Sequence, residues 1–378
     1  MARLIAFYLP QYHPIPENDE WWGKGFTEWT NVVKAKPLFR GHYQPHVPAD
    51  LGFYDLRVPE TRIAQAEMAR ESGIEAFCYY HYWFAGKKIL ERPFNEVLRS
   101  GQPDFPFCLC WANGTWTGIW HGCPDKVLIE QTYPGYDDHR AHFDELLPAF
   151  LDRRYVTVEG KPLFLVYLPN EVPDVRNVLD FWRNMAVKSG LPGLHIVAIL
   201  HRDRAWNPQK NGFDAAVRQS LSPLREDAST SWRHPVKKLL DLYQEKTHKP
   251  TIYRYEDVLL KMLPDKVSDV ENYPCLIPNW DNTPRSGCNG LVLHGSSPEL
   301  FRVQVRKSLE LMKNVPRERK LIFIKSWNEW AEGNHLEPDL KFGRAYLEVI
   351  RQEVSNQPVE TAGTPLKNRN ENIFANSL

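Results

Sequence analysis

Apolar residues along this chain fall into short, nearly continuous runs, not into the strict alternation of a half-exposed strand. Eight such runs stand out, at residues 4–9, 74–80, 105–111, 162–168, 194–200, 213–217, 274–278 and 321–324. Continuous apolarity over four to seven residues is the pattern of strands buried on both faces of a parallel sheet. Between several runs the period changes to that of an amphipathic helix. Ser297-Pro298 supplies an N-cap and first-turn signal, after which Phe301, Val305, Leu309 and Met312 fall on one face. A helix starting near Pro173 carries Val178, Phe181, Trp182 and Met185 inward and stops at Gly190, and another over 59–72 stops at Gly73.

Eight buried strands separated by helices, with no short internal repeat, predict an α/β fold of the (β/α)8 TIM-barrel type. A doubly wound sheet would carry a glycine-rich first turn. Here the first strand runs into Pro10-Gln11-Tyr12-His13, and the chain has neither GxGxxG nor a P-loop. Two connections, 10–57 and 220–273, are too long for plain crossovers. Both follow a strand, which in a barrel places them over the catalytic face; the second contains helix-like stretches at 236–243 and 255–263. The expected organisation is one barrel domain over 1–351 and a polar C-terminal tail over 352–378.

Composition narrows the function. Of 378 residues, 47 are Lys or Arg and 47 Asp or Glu, with no long run of either sign, which speaks against a sequence-independent nucleic-acid binder or a polybasic membrane anchor. No stretch reaches the ~18 apolar residues of a membrane span. Residues 1–10 are too short an apolar run for a signal segment, so the expected location is cytoplasmic. The six cysteines read as reduced, partly buried thiols; Cys108 and Cys110 share one strand face, but further zinc ligands are not evident, and no metal or other cofactor is expected. The aromatic content, 13 Trp, 16 Tyr and 18 Phe, exceeds what a core needs and suggests surfaces that stack on flat apolar faces such as those of sugar rings.

Catalytic groups of a barrel project from the carboxyl ends of its strands. Tyr8 ends the first run; Tyr79-Tyr80-His81-Tyr82 the second; Trp111, Asn113 and Trp116 follow the third; Trp280 and Asp281 the seventh; Trp327, Asn328, Glu329 and Glu332 the eighth. Glycosidic chemistry needs one carboxyl group as proton donor and another as base, nucleophile or charge stabiliser. Glu329 and Glu332, with Gly333 allowing a turn, can supply both, and unequal surroundings would separate their pKa values. The alternative is that they are loop acids paired with Lys325 or a nearby arginine. Tyr8, Tyr80, His81, Tyr82, Trp111, Asn113, Trp116, Trp280, Asp281, Trp327 and Asn328 are the substrate-binding candidates, with the reservation that only one parity of a strand can face the pocket. Glu28 and Trp29 are candidates to reach over the site, His335 and Glu337 to stand behind the pair or on a surface loop, and His13 reads as structural.

The run SWNEWAEGNHLEPD (326–339) resembles the signature of the WbsX-like proteins of bacterial surface-polysaccharide synthesis, which in turn resemble glycoside hydrolase family 99, the endo-α-1,2-mannosidases and mannanases. LIAFYLPQYHPIPENDEWWGKGFTEWTNV (4–32), FCYYHYWFAGKKILERP (77–93), CWANGTWT (110–117) and GFDAAV (212–217) are similar to the same group, so the resemblance spans 4 to about 350. It implies a (β/α)8 barrel acting on an oligosaccharide or polysaccharide without metal. It further implies that Glu329 is the general base on the sugar 2-hydroxyl, giving a 1,2-anhydro intermediate. Glu332 would be the general acid and then the base on water, with net retention. One position departs: the WbsX-like pattern WANENW has glutamate where this chain has Gly114, with Thr115 next. That change leaves room for a different sugar, a shorter oligosaccharide or a loss of activity.

Three functions follow for test: a retaining hydrolase of an α-mannose-like glycan, a glycosyltransferase of O-antigen or capsule assembly, and a carbohydrate-binding barrel without activity. No DxD occurs, so a metal-held nucleotide-sugar donor has no support, whereas a metal-independent transferase survives.

Overall fold

The computed structural model describes residues 1–118, 123–201, 206–219, 221, 249–264 and 272–356, with the backbone alone at 123–126. Its centre is a parallel sheet of strands β1 (Arg3–Tyr8), β2 (Ala76–His81), β3 (Phe107–Trp111), β4 (Lys161–Val166), β5 (His195–Leu200), β6 (Ala215–Arg218), β7 (Asn272–Tyr273 and Cys275–Leu276) and β8 (Leu321–Ile324). Each pairs with its neighbour in chain order, and β1 pairs β8, with Arg3 opposite Leu321 and Ala6 opposite Ile324. Closure occurs at β7. Asn272–Tyr273 pairs β6 and Cys275–Leu276 pairs β8, on either side of Pro274. Proline has no N–H to give a ladder, so the strand is split there, yet its carbonyl still accepts from Phe323 N at 2.9 Å. The eight apolar runs thus become the eight staves of a TIM barrel.

Helices cover the outside, among them Pro59–Glu71, Arg92–Ser100, Tyr136–Phe150, Val175–Lys188, Pro298–Leu311 and Ala345–Ser355. Ser297 caps its helix by accepting from Leu300 N, and Phe301, Val305 and Met312 are buried beneath it, as the sequence pattern requires. Val175–Lys188 buries Trp182 against Trp111, Phe164 and His142, the kind of large buried ring whose truncation costs about 3–5 kcal/mol. The last helix runs through Ser355, past the expected boundary at 351.

The connection after β1 contains two short helices, Pro16–Trp22 and Glu28–Lys34, and folds over the carboxyl ends of the strands. In the connection after β6, the expected helix over 255–263 is realised only as Tyr255–Val258, and the one over 236–243 lies outside the described residues. Among the described residues no helix is long and apolar enough to cross a membrane.

Candidate active site

A cavity of about 340 Å³ opens at the carboxyl ends of the strands, at the lower end of the range for sites that take small organic ligands. Tyr80 and Tyr82 come to it from the end of β2, Trp116 from beyond β3, Tyr167 from β4, and Lys325, Glu329 and Glu332 from β8. Gln11, Trp22, Phe26, Glu28 and Asn31 close it from the long connection above, and Arg285 enters from the segment after β7.

The turn carrying the glutamates is built in a few steps. Asn328–Glu329 pairs antiparallel with Asn334–His335, and Trp330–Glu332 forms a 3₁₀ turn between them. Residues three apart eclipse in such a turn, so Glu329 and Glu332 share one edge, facing the cavity. Gly333 closes it at φ 56°, where a Cβ would lie 2.9 Å from Asp281 Cβ and 3.1 Å from Asp281 N, so glycine is required by both conformation and space. Ser326 Oγ accepts from Glu329 N and donates to the Asn334 carbonyl, tying the two arms together. Trp330 anchors the back: its Nε1 donates to Glu337 Oε2 at 2.6 Å, and its ring stacks on His335.

Arg285 is the centre of the charge arrangement. Its guanidinium donates to Glu332 Oε1 at 2.6 Å, to Glu329 Oε2 at 3.1 Å and to Glu28 Oε2 at 3.1 Å. Lys325 Nζ lies 3.6 Å from Glu332 Oε2. Three buried carboxyl groups therefore face two cations. Burial, and then the charge of Glu332, push Glu329 up to about 7, against Arg285 and Lys325. Burial likewise raises Glu28, with Arg285 opposing. Burial works against the charge of Lys325, but Glu332, Tyr167 and Glu329 outweigh it and raise the ammonium. Within the protein, Glu332 Oε2 and the buried Tyr80 hydroxyl have no hydrogen-bond partner. An unmet buried polar group is costly to leave so.

Of the expected binding residues, Tyr80, Tyr82 and Trp116 line the cavity with the two glutamates. The others lie off its wall. Strand parity turns Tyr8 and His81 outward: Tyr8 OH donates to Gln65 on Pro59–Glu71, and the His81 ring stacks on His142 of Tyr136–Phe150. Trp111 packs outward on Trp182, and Trp327, fully buried, packs on Phe77. Asn113 spans to the Leu168 backbone and Tyr133, and the Asn328 side chain clamps Leu9 N and O, joining the ends of β1 and β8. Trp280 is half-buried beneath the Lys325 ammonium. Asp281 is occupied on both oxygens, by His42 and Gln44 on one and by the Thr283 N–H and hydroxyl on the other. Against its burial, these donors hold its carboxyl below the usual range. Its Oδ1 accepts the first N–H of the short helix Thr283–Ser286 that presents Arg285. Glu28 reaches into the cavity, while Trp29 packs behind it on Tyr12 and Trp330. Arg285, Tyr167 and Asn31 also line the cavity, and none of them is among the expected site residues. Arg285 had a signal, an Asn-Thr-Pro helix start directly after β7, with the basic residue next.

Residues 4–350 match the family described as Glycosyltransferase WbsX. The chain belongs to that family. Two curated relatives, both described as Uncharacterized protein WxcX, come from Xanthomonas campestris pv. campestris strains B100 and ATCC 33913. Each is 38% identical over 358 residues, or 94% of this chain. The chain spans about half the length of these relatives, 50%. Among solved structures, a glycoside hydrolase-like protein superposes with a TM-score of 0.55 at 15% identity, covering 93% of each chain. The GH99 endo-alpha-mannosidase from Bacteroides thetaiotaomicron gives 0.54 at 14% identity, covering 93% of this chain and 96% of that one. At such identities the likeness establishes that this WbsX-family chain shares their barrel fold.

Proposed function

We propose that this WbsX-family chain is a retaining glycoside hydrolase of an α-mannose-like glycan, with Glu329 and Glu332 as its reacting pair. The observation that carries the reading is the placement of both carboxyl groups on one edge of a turn, in a cavity at the carboxyl end of the barrel, under a shared guanidinium. In the first step Glu329 takes the proton of the sugar 2-hydroxyl as O2 bonds to C1. The bond from C1 to the leaving oxygen breaks, and Glu332 gives that oxygen its proton. In the second step water bonds to C1, Glu332 takes its proton, the C1–O2 bond opens and Glu329 returns the proton to O2. Two inversions at C1 give net retention. Tyr80, Tyr82 and Trp116 border the space where the ring would lie.

Binding a glycan needs no cofactor in this scheme. The family description favours a second reading, glycosyl transfer, because it names the family for that reaction. An NMR time course with α-mannosyl oligosaccharides, alone and with nucleotide sugars, separates the two. Release of an α-configured reducing end from the oligosaccharide alone is the expected result. Glycan growth only in the presence of a nucleotide sugar would overturn it in favour of transfer, and silence in both tubes would leave a binding barrel.

The scheme requires one proton on the pair, and for interacting groups the titration belongs to the pair. With Glu329 pushed up to about 7, the pair loses its last proton as pH rises through that value. The general acid is then missing, so kcat/KM is expected to fall above an apparent pKa near 7. A profile flat through neutrality and into mild alkali would refute the assignment.

A further inference from the structure

Behind the catalytic turn lies a second group of ligating side chains, which the proposed reaction does not use. Among the described residues, His46, His335 and Asp339 are all buried, and each places a ring nitrogen or carboxylate oxygen within 4.8 Å of the other two. His46 belongs to the connection after β1, the other two to the segment leaving the turn. His46 Nδ1 is 2.9 Å from His335 Nε2, which is 4.0 Å from Asp339 Oδ2.

Counting hydrogens shows what is unusual. His335 Nδ1 lies 2.9 Å from the Glu337 carbonyl oxygen, which can only accept, so Nδ1 carries the hydrogen. Burial disfavours the charged imidazolium, and a neutral ring then turns the Nε2 lone pair into the cluster. A hydrogen on His46 Nδ1 can sit between the two rings. Neither ring has a hydrogen left for the approach of His335 Nε2 to Asp339 Oδ2, where two acceptors face each other, although the Tyr43 hydroxyl also donates to the Asp339 carboxylate. The carboxylate is held in that orientation, because Oδ1 accepts the N–H groups of Lys341 at 3.0 Å and Phe342 at 2.6 Å. An imidazole fixed by a carbonyl on its far nitrogen and a carboxylate fixed by amides are the outer contacts that orient metal ligands.

We propose that His46 Nδ1, His335 Nε2 and Asp339 Oδ2 bind one divalent transition ion of the zinc type, with water as fourth ligand. Two imidazoles and a carboxylate suit zinc, whereas calcium and magnesium favour all-oxygen shells. Bonds of about 2.0–2.1 Å imply ligand separations of roughly 3.3 Å, so the carboxylate closes in by less than about 1.5 Å. His46 moves its hydrogen from Nδ1 to Nε2, so three lone pairs form the bonds and no proton leaves the rings. The ion joins the connection carrying His46 to the segment whose His335 stacks on Trp330 at 3.7 Å. Its part is to stiffen the turn beneath Glu329 and Glu332, without touching substrate.

The test uses the full chain and no activity assay, so it stands or falls apart from the proposed reaction. Protein stripped with EDTA is dialysed against Zn²⁺ and its retained metal counted by elemental analysis; Co²⁺ is titrated in parallel for ligand-field bands. One ion per chain, four-coordinate Co²⁺ bands and a Zn²⁺-dependent rise in Tm are expected. Asp339→Asn and His46→Gln should each weaken binding at least ~100-fold and remove the rise in Tm. Zinc no higher than the chelator background, or binding unchanged in both variants, overturns the site. Should a variant fail to fold by circular dichroism, X-ray absorption of the wild-type Co²⁺ complex decides: two imidazole ligands support the site, and an all-oxygen shell refutes it.

Discussion

Glu329→Gln is expected to lose at least ~1,000-fold in turnover whatever the leaving group, within the range assigned to general acid–base catalysis. Glutamine keeps the shape and can still accept from Arg285, but it cannot take the 2-hydroxyl proton. Glu332→Gln should lose at least ~100-fold on a poor leaving group and far less on one that departs without protonation. Retained activity in the first variant, or no leaving-group dependence in the second, would sink the roles assigned. Stability provides an independent reading of Glu329. Its carboxyl is raised to about 7 in the folded chain, above its ordinary value, so the stability it contributes is present below about 4.5 and lost as pH rises through 7. At pH 8 the native chain therefore carries the full penalty of a buried, crowded carboxylate. The glutamine variant should then be more stable by on the order of 1 kcal/mol in urea unfolding, and the difference should vanish near pH 4.5. Losing activity while gaining stability is the signature of a group kept for chemistry.

The barrel was legible because eight strands buried on both faces leave eight runs that nothing else explains, and the structure keeps all eight within a residue or two. The outline of β7 was less so, since a proline placed at the start of a run divides the strand instead. The strand-end pattern singled out Glu329, Glu332, Tyr80 and Tyr82, all of which line the cavity. It also gathered residues whose parity sends them outward, such as His81 and Trp111, because aromatic content does not reveal direction. Asn113, Asp281 and Asn328 have the side chains of sugar-binding residues, yet each spends its polar atoms on backbone or neighbouring groups. Those contacts are long-range, with Asn328 reaching Leu9, and no local pattern encodes them. At Gly114 the structure shows an ordinary backbone and only Leu168 Cδ1 near a Cβ, at 3.4 Å, so neither strain nor crowding demands glycine on that wall. Gly114 thus stands on the cavity wall without being required by the fold.

Arg285→Met should be the most damaging substitution to stability among the cavity residues. It removes the guanidinium that contacts Glu28, Glu329 and Glu332 and leaves Lys325 alone among three buried carboxyl groups. Breaking a buried ion pair by deleting one partner costs about 3–5 kcal/mol, because the remaining charges stay desolvated and unmatched. The cost must depend on pH. Without the arginine, Glu28 and Glu329, which burial already raises, rise further above their ordinary range, so protonation relieves them as pH falls. The loss should be full at pH 8 and much smaller at pH 5, measured by urea unfolding at both values. The same rise moves the alkaline limit of kcat/KM upward from about 7, since the pair keeps its last proton longer. An equal loss of stability at both pH values would mean that Arg285 acts through packing of its stem, and a fixed alkaline limit would mean that its charge is not felt by the reacting pair. Either result would detach the arginine from the chemistry, and only the two shifts together identify it as the group that sets how many protons the three carboxyl groups hold.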